Sequence, residues 1–329
     1  MCRMDRPNAA REALIRDRMC PFRWGSDYLP GQLADRREAP DASSPKAVHS
    51  IELQRTVHLM SPGELNAFLL AMHTGRVKEL HESRLLAPEP SPGPLCGYAL
   101  AEGLPVHGHE GTIQIAERLG MLHMHPLVRI PVAPGSKKTR LVAYPLLGDL
   151  LLYLADSVGP YCVNWTIKET PEDFDMPFNA TRIPKAKLSE AIEAQQARTA
   201  WEAELYRQVK TPSIHLANTD IPRHVALNLR QLYVHQPREV NLDPALRSDF
   251  IETLNARIAR NVPVFETVRH MMSHHGGTMY DYQSAFYQAV WQRQIRVDLW
   301  TPINIDQPIH PEERDVVSHF SQWFKRAAP

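Results

Sequence analysis

Residues 148–168 read GDLLLYLADSVGPYCVNWTIK, and this stretch decides the fold. Its two halves are runs rich in apolar residues, and between them lie the turn formers Asp156, Ser157, Gly159 and Pro160. Such a pattern predicts a hairpin of two antiparallel strands. Because both runs are almost continuously apolar, we expect a buried sheet and not a solvated one. Asp149 and Lys168, at the two ends of the stretch, then lie at the margins of a core.

The second strand carries a polar face, because side chains alternate along a strand. Asn164, Thr166 and Lys168 share that face, which favours a site at the edge of the sheet. Metal-dependent phosphodiester cleavage needs carboxylates that gather Mg²⁺ and a cation that offsets charge at phosphorus. Asp149 and Lys168, with Glu64 on a helix that precedes the sheet, offer that set.

Each of these residues also has an ordinary structural interpretation. An Asp and a Lys can bracket a surface hairpin with solvated ends. The run SPGEL, residues 61–65, predicts a helix that begins after Ser61 and ends before Gly75. Since Glu64 stands three residues after Ser61, it is also a candidate for the return half of a capping box.

The rest of the chain suggests three regions. Residues 1–47 lack sustained periodicity and predict a partly disordered arm with a short helix near its start. Residues 48–175 predict an α/β domain, and 176–329 predict a linker helix followed by helices and a short strand over Ile295–Leu299. Helices that end in a short strand are consistent with a winged-helix-like domain.

The bulk composition excludes several classes of protein. The 329 residues are 43% hydrophobic and 22% charged, which is typical of a globular protein. Formal net charge is zero, so a DNA-binding role needs a local basic surface or a partner. The four cysteines lack CxxC spacing, which argues against a zinc ribbon or a disulfide framework. No signal peptide or membrane span is recognisable, and a cytoplasmic location is expected. The sequence contains no GxxxxGK[ST] run, so ATP hydrolysis by the chain itself is not expected.

Other residues are weaker candidates for a metal-binding, catalytic or binding role. The histidines at 107 and 109, at 123 and 125, and at 270, 274 and 275 lack an HExxH or paired CxxC motif, so zinc is disfavoured. Glu110 is a fallback acid. The aromatic run from Tyr280 to Trp291 favours a helical core over contacts with bases or a partner.

Several blocks together resemble the TnsA endonuclease family of heteromeric transposases. The first two blocks are VHLMSPGEL at residues 57–65 and VKELHE at 77–82. Residues 112–126, with TIQIA and a later HP, resemble the family's T-x-x-I-A-x-x-x-G-I-x-H-P. The block GDLLLY through TIK is similar to its T-D-F-L-V…(E/Q)-V-K. Trp201-Glu202 and the run 217–229 are similar to the start of its C-terminal domain.

This resemblance implies a restriction-endonuclease-like fold of the PD-(D/E)xK kind. Glu64, Asp149 and the Ile167 carbonyl would hold Mg²⁺, with Mn²⁺ as a substitute, and Lys168 would be the catalytic lysine. Thr166 stands where the family has Glu or Gln and would be a weaker ligand. His81 also replaces a family Arg, and these departures raise the alternative of reduced activity.

The resemblance also implies partners. Family members cut the non-transferred strand at the 5′ ends of transposon-end DNA, while a DDE-type transposase subunit cuts and joins the other strand. Their C-terminal domains contact an AAA-type ATPase regulator. Two alternatives stay open: a non-catalytic assembly subunit that bridges transposase and ATPase, and a free-standing nuclease unrelated to transposition.

Overall fold

A computed structural model describes residues 7–40, 43–133, 135–177 and 180–327. The helices are α1 Ala9–Met19, α2 Pro62–His73, α3 Thr112–Arg118, α4 Lys185–Gln208, α5 Arg223–Val234, α6 Pro244–Ile258, α7 Val264–His275, α8 Met279–Trp291 and α9 Val316–His319. The strands are β1 Lys46–Ser50, β2 Arg55–Leu59, β3 Glu79–Glu82, β4 Leu85–Leu86, β5 Ser91–Pro92, β6 Gly108–His109, β7 Leu127–Pro131, β8 Thr139–Ala143, β9 Leu146–Leu147, β10 Leu150–Asp156, β11 Gly159–Lys168 and β12 Ser213–Ala217.

The chain divides into two units, and its mixed α/β character agrees with the fold class expected from the sequence. The first unit comprises residues 1–65, 77–218 and 323–329, and the second comprises 66–76 and 219–322. The first unit therefore extends beyond the 48–175 domain expected from the sequence. Within the described ranges, no helix combines the length and apolar character that crossing a bilayer requires.

A four-stranded sheet in the order β12-β11-β10-β3 forms the centre of the first unit. β10 and β11 are the expected antiparallel hairpin, with Leu150 opposite Trp165. β12 pairs in parallel with β11 after the chain has crossed over through α4. The expectation of a site at the sheet's edge is therefore wrong, because β12 makes β11 an internal strand.

Helix α4 covers one face of this sheet. Leu151, Tyr153 and Cys162 are buried there against Trp201 and Tyr206 of the helix. These strand residues share the face of Asn164 and Thr166, since strand side chains alternate. The polar face of β11 is therefore buried beneath a helix.

The other face of β11 is covered by the returning C-terminal segment. The ring of Phe324 lies 5.1 Å from that of Trp165, and the Trp165 indole N–H donates to the Trp323 carbonyl at 3.0 Å. Arg326 forms an ion pair with Asp156, at the tip of the hairpin. The described residues from 323 to 327 therefore pack onto the first unit, with Phe324 in its core.

The described residues of the 1–47 segment are ordered by burial, in contrast to the arm expected from the sequence. Ile15 and Met19 of α1, together with Tyr28, pack against Leu85 and Ala87 of the first unit. Each of these five side chains is at most 9% exposed. Removing that apolar surface from water supplies the stabilisation that offsets the entropy of ordering the segment.

The second unit is built from helices. In α8 the rings of Tyr282, Phe286, Tyr287 and Trp291 are buried, whereas Tyr280 is half exposed. The aromatic run is thus mainly core, as the sequence favoured. The strand expected over Ile295–Leu299 is wrong: the second unit, all of which the structure describes, has only an isolated bridge between Val297 and Pro311.

Candidate functional site

Asp149 joins the ends of the two hairpin strands. It directly precedes β10, and its Oδ2 accepts a hydrogen bond from the backbone N–H of Ile167 at 2.7 Å. Its own carbonyl accepts from the backbone N–H of Ser83 at 3.0 Å, next to β3. The half-buried carboxylate is therefore held at one end of the sheet, beside the last residues of β11.

The start of α2 lies directly against that end of β11. A Cβ placed on Gly63 would stand 3.2 Å from Asn218 Cβ and 3.3 Å from Ile167 Cγ2, which is tighter than ordinary contacts. Glycine permits this approach because it has no side chain. The following residue, Glu64, is consequently brought from a distant segment to the strands that carry Asp149 and Lys168.

Glu64 is also bonded as a helix cap, as its structural interpretation requires. Its Oε2 accepts from the backbone N–H of Met60 at 2.8 Å, and its Oε1 accepts from the Ser61 hydroxyl at 3.2 Å. The Ser61 Oγ in turn accepts from the backbone N–H of Glu64 at 3.1 Å. These bonds form a variant of the capping box. If Glu64 binds a metal ion, its two carboxylate oxygens must also keep these hydrogen bonds to the cap.

The charges of Glu64, Asp149 and Lys168 interact. Burial raises the pKa of Glu64 to about 8, and the negative charge of Asp149 contributes to this rise. The hydrogen bonds from Met60 and Ser61, and the positive charge of Lys168, act in the opposite direction. The structure thus brings the three side chains that the sequence singled out within electrostatic reach of one another.

A further carboxylate, Glu202, lies at the same place and was not assigned a role from the sequence. It projects from α4 and is 5% exposed. Burial raises its pKa, and the charge of Asp149 adds to the rise. Its Oε1 accepts from Asn164 Nδ2 at 3.0 Å and from the Thr166 hydroxyl at 3.3 Å.

A sequence signal for Glu202 did exist. The residues of α4 that face the sheet recur at helical spacing, and Glu202 falls within that apolar stripe between Trp201 and Leu205. An acid on the buried face of a helix needs a polar partner. The sequence alone does not say that the partner is the polar face of β11, since residues 164 and 202 lie 38 positions apart.

Thr166, expected as a weak metal ligand, is hydrogen-bonded to a neighbouring acid. Its hydroxyl donates to Glu202 and is nearly buried, at 9% exposure. The neighbouring Asn164 has a buried Oδ1 without a hydrogen-bond partner. We therefore expect Thr166 to hold the Glu202 carboxylate in place, which leaves the acids to bind any cation.

The donor set fits a hard divalent cation. Carboxylate oxygens are preferred ligands of Mg²⁺, and Glu64 and Glu202 are buried acids whose pKa is raised in part by the charge of Asp149. A bound dication would offset that repulsion. Among the described residues, however, no group of three or more His, Cys, Asp or Glu side chains is arranged to hold a metal ion. Glu64, Asp149 and Glu202 therefore do not form such a three-carboxylate group, and any cation would need a backbone or water oxygen as well.

Several other candidates have structural roles. Glu110, the fallback acid, forms an exposed ion pair with Arg118 and accepts from Gln208. The imidazole of His125 is hydrogen-bonded to the Thr112 hydroxyl at 2.8 Å and stacks on Trp201. These contacts explain Glu110 and His125 without any metal.

Glu82 of the second motif is likewise structural. It is fully buried, and its two oxygens accept from Nη1 and Nη2 of Arg55, each at 2.8 Å. His81, which replaces a family Arg, stacks on Tyr28 with ring centroids 3.9 Å apart. This region braces β3 against β2 and supplies no group to the acidic site.

No protein-family model matches this sequence, and comparison with curated proteins likewise finds no match.

Proposed function

We propose that this chain is a Mg²⁺-dependent DNA endonuclease that cleaves the non-transferred strand at the 5′ ends of a transposon, together with a DDE-type transposase subunit. The observation that carries the proposal is the convergence of Glu64, Asp149 and Lys168, from three separate segments, at one end of the hairpin. A surface hairpin with solvated ends would not bury an acid beside these two residues.

The proposed metal ligands are Glu64, Asp149 and the carbonyl of Ile167. In a strand, the N–H and C=O of one residue point to the same side. Since the Ile167 N–H meets Asp149, we expect the Ile167 carbonyl on the Asp149 side as well. When bound, Mg²⁺ or Mn²⁺ would activate a water and offset charge at the phosphate.

The remaining residues would act on charge and position. Lys168 would place a positive charge beside the scissile phosphate, where negative charge grows during attack. Thr166 and Asn164 would hold the Glu202 carboxylate against β11. Glu202 would contribute further negative charge, since the charge of Asp149 raises the pKa of both Glu64 and Glu202.

The raised pKa of Glu64 predicts how cation binding depends on pH. Below a pH of about 8 the metal-free protein holds a proton on Glu64. A cation must displace that proton, so affinity should increase as the pH rises to about 8 and then level off. Isothermal titration calorimetry with Mn²⁺, repeated in two buffers of different ionisation enthalpy, would measure the number of protons released on binding. Affinity that is equal at pH 6 and pH 8 would exclude Glu64 as a ligand.

The direct test of the site is Asp149→Asn, because the amide oxygen can still accept the N–H of Ile167. We expect loss of Mn²⁺ binding with unchanged folding. The matched control is Glu110→Gln, which removes one carboxylate charge outside the site and should leave Mn²⁺ binding at the wild-type level. Equal binding by Asp149→Asn and wild type would remove Asp149 from the proposed site.

The activity itself is tested in a reaction reconstituted with the transposase subunit and DNA that carries the element ends. Asp149→Ala should abolish nicking of the non-transferred strand and spare cutting of the other strand. Unchanged nicking would rule out Asp149 as a catalytic residue. Nicking by the chain without partners would instead favour a free-standing nuclease.

Two observations favour a second candidate function, a catalytically weakened subunit that bridges the transposase and an AAA-type ATPase regulator. Both oxygens of Glu64 serve the helix cap, and Thr166 bonds to Glu202. This candidate predicts no divalent-ion binding at pH 8. It also predicts that Asp149→Ala leaves the whole transposition reaction unchanged, so the same two experiments decide between the candidates.

A further inference from the structure

Strands β7 and β8 form a separate two-stranded ribbon in the first unit. They pair antiparallel from Leu127 opposite Ala143 to Pro131 opposite Thr139. The ribbon is anchored at its base, where Val128 and Ala143 are buried. Beyond the base its residues are largely exposed, and no other strand in the described ranges pairs with either edge. Helix α1 contacts β7, so the exposed part of the ribbon is its outer end and β8.

This ribbon is strongly basic. Its cations are Arg129, Lys137, Lys138 and Arg140, and all four are exposed. The sequence contains no Asp or Glu between Glu117 and Asp149. In the part of the chain that the structure describes, none of the four cations forms an ion pair or a side-chain hydrogen bond.

The cations occupy both faces of the ribbon. Arg129 pairs with Leu141, whereas Arg140 pairs with Ile130, one register position away, so the two arginines point to opposite faces. Lys138 lies on the face of Arg140, since it is two residues away, and Lys137 lies in the connecting turn. A partner that meets these charges must therefore present negative charge on two sides of the ribbon.

We propose that this ribbon, residues 127–133 and 135–143, is a DNA-contacting arm that inserts between the two phosphate backbones of a duplex. The choice of DNA rests on the proposed function. A two-stranded ribbon fits the major groove, which is about 12 Å wide and about 8.5 Å deep. Five residues per strand at about 3.4 Å each give the ribbon a reach of about 17 Å. Cations on both faces match a groove with phosphates on both walls.

The arm also explains how a chain without net charge could bind DNA. With a net charge of zero, no global field attracts the protein to DNA. Four unpaired cations concentrated on one ribbon supply a local field instead. Each phosphate neutralised releases counterions, so such an arm makes binding strongly dependent on salt.

The test is fluorescence anisotropy of the full chain with a labelled 30-base-pair duplex in EDTA, across a series of salt concentrations. The ribbon variant carries Arg129→Gln, Lys137→Gln, Lys138→Gln and Arg140→Gln. We expect the Kd to be at least tenfold higher than that of wild type. The slope of log K against log salt should be smaller in magnitude by about 3 to 4, since each phosphate contact contributes about 0.9. Because the four side chains are exposed and unpaired, the variant should fold normally.

The matched control removes four other exposed cations of the first unit, by Lys46→Gln, Arg182→Gln, Lys185→Gln and Lys187→Gln. We expect this variant to keep the wild-type salt slope within about 1, so an equal loss in both variants would overturn the arm. A ribbon variant that binds DNA like wild type would also overturn it. Loss of binding to anionic phosphatidylglycerol vesicles without loss of DNA binding would assign the ribbon to a membrane surface instead.

Failure of the arm and failure of the metal centre are distinguishable. The ribbon variant should bind Mn²⁺ with wild-type affinity, because residues 127–143 contribute no ligand. Asp149→Asn should bind the duplex in EDTA at least as tightly as wild type, because it removes a negative charge without touching the ribbon. If the wild-type chain binds no duplex but does bind Mn²⁺, the arm is refuted while the metal centre stands.

Discussion

Replacing Glu64 by Gln should stabilise the metal-free protein at alkaline pH. The pKa of this carboxyl rises from 4.5 to about 8 on folding, chiefly through burial and secondly through Asp149. Above pH 4.5 the unfolded chain ionises Glu64, whereas the folded protein keeps its proton until about pH 8. Folding therefore binds a proton in this window, and stability falls as the pH rises through it.

The size of the effect follows from the pKa change. Each pKa unit corresponds to about 1.4 kcal/mol, so the unfavourable contribution of Glu64 grows to about 3 kcal/mol at pH 7 and about 5 kcal/mol above pH 8. Gln has nearly the same shape and its amide oxygen can still accept the N–H of Met60. Glu64→Gln removes the ionisation and should therefore gain stability by up to these amounts.

Urea unfolding at pH 5, 7 and 8.5, followed by tryptophan fluorescence, measures the difference between variant and wild type. We expect it to be near zero at pH 5 and to increase with pH. Glu102→Gln is the control, because Glu102 is exposed, and it should change stability by no more than about 0.5 kcal/mol at any pH. A difference for Glu64→Gln that is the same at pH 5 and pH 8.5 would refute the reasoning.

Three other substitutions test how the site is supported. Phe324→Ala removes a buried ring packed on Trp165 and should destabilise the first unit by about 3–5 kcal/mol in urea unfolding; a loss below about 1 kcal/mol would mean that the C-terminal segment is not part of that core. Arg55→Ala leaves the buried Glu82 without its ion pair and should cost about 3–5 kcal/mol at pH 7, with partial recovery in the double variant that also carries Glu82→Gln. Gly63→Ala should weaken Mn²⁺ binding, because its Cβ would lie 3.2 Å from Asn218 Cβ and 3.3 Å from Ile167 Cγ2 and would shift the contact between α2 and β11. Unchanged binding would show that this close approach does not position Glu64.

The sequence was sufficient for local structure near the site. Two apolar runs separated by turn residues predicted the hairpin of β10 and β11, and Ser61 with Pro62 predicted the start of α2. Both are set by neighbouring residues, through side-chain alternation and helix capping. The sequence of the same segments also predicted Glu64, Asp149 and Lys168 as site residues, and the structure brings these three residues within electrostatic reach of one another.

The remainder depended on contacts between distant segments. The apolar run of β12 has no local feature that makes it parallel to β11, and its pairing made β11 internal instead of an edge strand. Glu202 is an ordinary helical acid in the sequence and belongs to the site only because α4 packs across Asn164 and Thr166. The N-terminal segment likewise has weak periodicity, and its order comes from burial against Leu85 and Ala87.

The sequence by itself determined which segments are strands or helices near the hairpin, and which charged residues stand at their ends. Tertiary structure alone decided that Glu64 is buried beside Asp149, that Glu202 joins them and that Thr166 bonds to Glu202. The physical reason is that hydrogen bonding and side-chain alternation act over a few residues, whereas desolvation and charge interaction depend on distances in space. A pKa near 8 for a glutamate is a property of the folded chain, since no neighbour in sequence removes that carboxyl from water.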